Sequence, residues 1–115
     1  MQYTHARISS MIEKASKEGI VPKYDSKIES VSELERMIYR FPEIVEKSLV
    51  EYAPNTIATF LIETARAFNS FYGEKKIIDT ENHEISAHRL AIADATRIVL
   101  KNGLELLGIM APDRM

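Results

Sequence analysis

The sequence predicts an all-α fold, a bundle of about five helices. Three observations carry that expectation. Apolar residues recur at three- and four-residue steps along most of the chain. No stretch alternates cleanly at period two, as a half-buried strand would. The few glycines and prolines fall mostly between the periodic stretches rather than in runs. At 115 residues the chain suits one domain with a single apolar core, and it shows no internal repeat or low-complexity segment.

The first helix is expected from about Tyr3 to Glu18, with Ile8, Met11, Ile12 and Ala15 as its apolar stripe. Gly19 suits the left-handed position that stops it. "IVPKYDSKIES" then reads as a loop around Pro22. "SELE", Ser32 to Glu35, matches a capping box: the Ser32 hydroxyl bonds the N3 amide and Glu35 reaches back. A short helix follows, presenting Leu34, Met37 and Ile38. It cannot run smoothly through Pro42, which instead suits the first turn of a third helix carrying Ile44, Val45, Leu49 and Tyr52. Pro54 opens a fourth in the same way. There Ile57, Phe60, Leu61, Ala65, Phe68 and Tyr72 form the stripe, and Gly73 ends it. "EKKIIDTENHE" is a polar loop. The last helix runs from about Ile85 to Leu107, with Ile92, Val99 and Leu106 on one line and Leu100, Leu104 and Leu107 widening it. Gly103 inside it costs about 1 kcal/mol against Ala, which is explained if another helix packs close there. Gly108 is expected to end this helix, with Ile109 folding back on Leu104.

Composition excludes several kinds of chemistry. With no cysteine there is no disulfide, thiolate metal site or cysteine nucleophile, and a reducing, cytoplasmic setting fits. No apolar run nears the ~20 residues that span a bilayer, so no membrane association is expected. "MQYTHARISSM" has no signal-peptide core. The glycines stand too far apart for a phosphate-cradling loop. Glu84 and His88 share a helix face but have no second ligand pair, so no metal site is expected, and the pair reads as exposed near a helix start. No general acid or base stands out, and no catalytic residue is expected. The net charge of −2 is unevenly spread. Residues 1–27 carry five Lys/Arg against three Asp/Glu, while residues 28–56 carry three against six. An anionic partner would therefore favour the first helix.

Four stretches share a further pattern: "YTHARISSMIEKA" (Tyr3 to Ala15), "RFPEIVEKSLVEYAPNTIATFLIETARAFNSFY" (Arg40 to Tyr72), "RLAIADATRIVLKNGLELLGI" (Arg89 to Ile109) and "APDRM" (Ala111 to Met115). In order and spacing they resemble the C-terminal anticodon-binding (DALR) domain of arginyl-tRNA synthetases, over nearly the whole chain. The resemblance implies an all-helical module, residues 1–115, that grips the anticodon loop of tRNA for arginine. It implies a parent arginine–tRNA ligase in which a separate catalytic domain, the module's other partner, handles arginine, ATP and magnesium. The signatures of that domain are absent here, so the fragment is expected to need no cofactor and to be inactive alone. Met1 is expected not to be the native start, because the family continues the first helix backwards. As a severed piece, the chain is expected to be a monomer or weak dimer.

By the same resemblance the RNA-binding residues are Tyr3, His5, Arg7, Asn69, Tyr72, Arg114 and Met115. RNA loops splay out bases that proteins read by stacking and by hydrogen bonds to their edges. Tyr3 offers a ring to stack or to pack in the core, and Met115 an adaptable apolar wall or a plug for the bundle end. Arg7 and Arg114 can meet phosphates or a base. His5 is either a surface histidine or a contact. Asn69, with Tyr72 in "AFNSFY", either contacts RNA or serves an interhelical hydrogen bond. Thr4 departs from the alanine common at its place. Two alternatives stay open: a protein-interaction module of the same fold, and the equivalent domain of another class I synthetase such as the cysteinyl enzyme.

Overall fold

Helix α1, Gln2–Lys17, forms on the stripe its sequence announces. Ile8, Met11 and Ala15 are buried, and Gly19 stops the helix at φ +80°. The Gly19 N–H donates to Ser16 O at 3.1 Å and the Ile20 N–H to Ala15 O at 2.9 Å, the two bonds of a Schellman closure. Ile20, the residue after the turn, is buried among the α1 side chains, so the stop signal and its apolar clasp both work. The computed structural model describes residues 2–22, 33–74 and 83–110. The Ser32 end of the capping box lies outside them.

Helix α2, Glu33–Tyr39, is short and opens on two acids, which favour a helix N-terminus. One helical residue, Arg40, joins it to α3, Phe41–Glu51, with Pro42 in the first turn where its missing N–H costs nothing. Helix α3 ends on Tyr52 at φ 54°, ψ 46°. The Ala53 N–H reaches back to Ser48 O at 2.9 Å, so the turn has Schellman form without a glycine. A left-handed non-glycine residue costs roughly 1–2 kcal/mol. Pro54 then starts α4, Pro54–Glu74, and after the connection comes α5, His83–Met110.

Two apolar clusters hold the helices together. The first joins Ile8, Met11 and Ala15 of α1, Leu34 of α2, Phe68 and Phe71 of α4, and Leu90, Ile92 and Ala93 of α5. The second joins Ile57, Phe60, Leu61 and Ala65 of α4 to Val99 and Leu100 of α5, with Phe41, Ile44, Leu104 and Met110 packed against them. Early α4 thus meets late α5 and late α4 meets early α5, so the two run antiparallel. The pair is the spine of the bundle. Helix α1 lies on α5 at one end, α3 lies on α4 at the other, and α2 touches both clusters. At 1.5 Å per residue α5 is about 42 Å long, close to the 47 Å long axis of the molecule. Phe41 stacks on Phe60 with ring centroids 5.9 Å apart. Buried hydroxyls on the spine are satisfied within their own helices: Thr64 Oγ1 donates to Phe60 O at 2.8 Å and Thr96 Oγ1 to Ile92 O at 2.9 Å.

Four sequence expectations need correction. Helix α5 does not stop at Gly108 but continues to Met110. Glycine accepts right-handed helical geometry as well as the left-handed kind, and the packing of Leu104, Leu106 and Met110 rewards the extra turn. Ile109 does not fold back; it is 79 % exposed. Tyr52 and Leu49 are not core residues of α3, whose buried line runs through Ile44 and Ser48 instead. His88, read as exposed, is buried, because it stands one turn before Ile92 on the face of α5 that packs into the first cluster.

Candidate nucleic-acid interface

Helix α1 buries one side and leaves a flank to solvent. The core side is Thr4, Ile8, Met11 and Ala15. Successive residues turn by about 100°, so positions 3, 7, 10, 14 and 17 fall within a strip about 80° wide. That strip holds Tyr3, Arg7, Ser10, Lys14 and Lys17, all exposed except the half-buried Arg7. Tyr3 is 75 % exposed, so its ring is open to a partner, as are the rings of Tyr39 and Tyr52 elsewhere on the surface. Arg7 stands one turn further on and makes an interaction within the protein. The flank therefore begins with an aromatic ring and carries only cations and a hydroxyl behind it.

The expected site residues separate into three groups. Tyr3 and Arg7 come together on this flank. His5 is turned the other way and half-buried, and its Nε2 is buried with no hydrogen-bond partner among the described residues. Asn69 is exposed on α4 between Phe68 and Phe71, whose rings pack in the cluster that holds α1. It therefore belongs to the same end of the bundle. The backbone of Tyr72 is helical, but its side chain, like the whole of Arg114 and Met115, lies outside the described residues. A half-open cavity of about 290 Å³ lies elsewhere, between α2, α3 and α4, with Arg40, Asn55, Thr59 and Glu63 at its polar wall; none of the expected site residues lines it. Among the described residues no group of three or more histidine or acidic side chains could hold a metal ion.

The expected site residues left out Ser10, Lys14 and Lys17, although the first helix was expected to favour an anionic partner. Their signal was present in the spacing from Tyr3, which continues the 3–7 step down the whole helix. A second surprise is His88: its ring is buried and its Nε2 has no hydrogen-bond partner among the described residues.

The class of protein follows from the arrangement: an all-α bundle domain with a cationic, aromatic-tipped helix flank on an otherwise acidic chain. Comparison with known families is more particular. The model of the DALR anticodon binding domain matches residues 1–115, and the chain belongs to that family. Curated relatives include the arginine–tRNA ligases of Archaeoglobus fulgidus, 41 % identical over 100 % of this chain, and of Bacillus subtilis, 40 % identical over 99 % of it. That of Geobacter metallireducens is 42 % identical over 100 % of the chain. The chain spans about a fifth of the length of these relatives, 21 % of the first two and 22 % of the third. No solved structure gives a significant match.

Proposed function

We propose that this chain binds the anticodon stem-loop of tRNA for arginine, as the anticodon-binding domain of an arginine–tRNA ligase. The observation that carries the reading is the family match along the whole chain. The exposed Tyr3 at the head of a cationic flank supports it physically, because a loop base needs a π-face to stack on and its phosphates need nearby positive charge. In this reading arginine, ATP and magnesium are handled by the remaining four-fifths of the parent chain, and that part is the module's protein partner. The domain contributes affinity and discrimination between tRNAs, and the 115 residues alone attach no arginine. No described helix is long and apolar enough to cross a membrane, and the reading places the parent enzyme in the cytoplasm. The isolated domain is a monomer or a weak dimer.

Within the proposed site Tyr3 stacks on a base, Arg7 and Arg114 meet phosphate or base edges, and His5, Asn69, Tyr72 and Met115 complete the surroundings. Tyr3→Ala is expected to weaken binding of an anticodon stem-loop about tenfold, toward the lower end of the roughly 1–3 kcal/mol that one base–aromatic stack supplies. The fold should be unaffected, because the ring is mostly in solvent. Fluorescence anisotropy with a labelled hairpin measures the first effect and thermal unfolding the second. An unchanged dissociation constant would remove Tyr3 from the site. Failure of the wild-type chain to prefer this hairpin over one of unrelated sequence would overturn the reading and favour a protein-interaction role.

A further inference from the structure

We infer that the exposed flank of α1 is a directional track, with Tyr3 at the anticodon-loop end and Lys14 and Lys17 on the phosphates of the RNA stem. The inference rests on the proposed RNA-binding function and deepens it. From Tyr3 to Lys17 is 14 residues of helix, about 21 Å. A ring at one end cannot reach what the lysines reach at the other, so the two ends must serve different parts of any ligand. What they offer also differs in kind. Tyr3 supplies a flat apolar face, suited to an unstacked base, and unstacked bases belong to loops. Lys14 and Lys17 supply point charges on flexible stems, which suit phosphates of either strand and carry no base preference.

Charge segregation along α1 favours RNA over a merely solvated face. The first turn has no acid, and the last turn has two lysines. Glu13 is the one acid within the helix, and it points about 80° away from the centre of the strip. Glu18, just past the helix end, adds one exposed negative charge next to Lys17 in sequence. The strip keeps one sign in a chain whose net charge is −2. A duplex end presents phosphates of two strands where a loop presents one, so the cations at the far end face the denser charge.

Two RNAs separate this inference from the reading beneath it: an anticodon hairpin with its stem, and a single-stranded oligonucleotide of the loop sequence alone. The double variant Lys14→Ala/Lys17→Ala should weaken the hairpin and lower the slope of log K against log salt by about 2, close to 1 for each lysine. It should leave loop-only binding unchanged, whereas Tyr3→Ala should weaken both RNAs. Lys47→Ala/Lys101→Ala removes two exposed cations from α3 and α5 and should leave the hairpin's salt slope as in the wild type. Glu18→Gln should tighten the hairpin and not the loop. The track is overturned if the lysine pair leaves hairpin binding unaltered, if it weakens both RNAs equally, or if the control pair has the same effect. Should the wild type bind neither RNA, the proposed function itself falls.

Discussion

Phe68→Ala should lower the unfolding free energy by about 3–5 kcal/mol, the usual cost of emptying a buried phenylalanine site. Phe68 is 0 % exposed and belongs to the cluster in which α1, α2, α4 and α5 all meet. No single neighbour can collapse into the space without leaving its own helix contact. Set against the roughly 5–15 kcal/mol that holds most domains together, such a loss is a large fraction of the total. Urea unfolding followed by helical circular dichroism measures it. Ile62→Ala, on the same helix but 43 % exposed, should cost far less. Equal losses at the two positions would mean that the first cluster is not closed around Phe68.

Gly103→Leu should cost about 3 kcal/mol, at the upper end of ordinary overpacking. A Cβ at position 103 would overlap Leu61 Cδ2 and lie 3.0 and 3.1 Å from Leu61 Cδ1 and Cγ. Leu61 is fully buried, so it can give way only by displacing other side chains of the second cluster. Leucine is the informative substitution because its helix propensity exceeds that of glycine. Any loss is then crowding, not a poor helix former. Leu61→Ala placed in the Gly103→Leu protein should recover part of the stability, although Leu61→Ala alone costs about 2–5 kcal/mol. Additive losses in the double variant would show that the two positions do not share one space.

Elements whose stability is local were legible in the sequence. Gly19, Pro42 and Pro54 act through backbone geometry that any neighbourhood would respect, and each punctuates the chain where expected. The close approach at Gly103 was also legible, since a helix-interior glycine has few other reasons to exist. Gly108 was misread because a glycine permits a stop without compelling one, and the choice lay with Leu104, Leu106 and Met110 packing at a distance in sequence. Tyr52 was misread because apolar periodicity does not reveal where a helix has already turned. As to the site, the resemblance supplied Tyr3 and Arg7, and helical geometry extends their line to Ser10, Lys14 and Lys17. His5 has a different place on the helix. It is two residues from Tyr3, yet the helix turns it to about 160° from that ring.

The antiparallel pairing of α4 and α5 also sets an order of assembly. Their ends, Glu74 and His83, are nine positions apart, whereas docking α1 brings Ala15 into the same cluster as Leu90, 75 positions away. By the logarithmic dependence of loop-closure entropy, the longer closure costs about 2 kcal/mol more. The hairpin is therefore the early part of the structure and α1 the late one, paid back only by contacts that already require the hairpin. The helix proposed to face the RNA is consequently the layer that leaves first. Amide exchange should run faster in α1 than along the spine, and bound RNA should slow it there most.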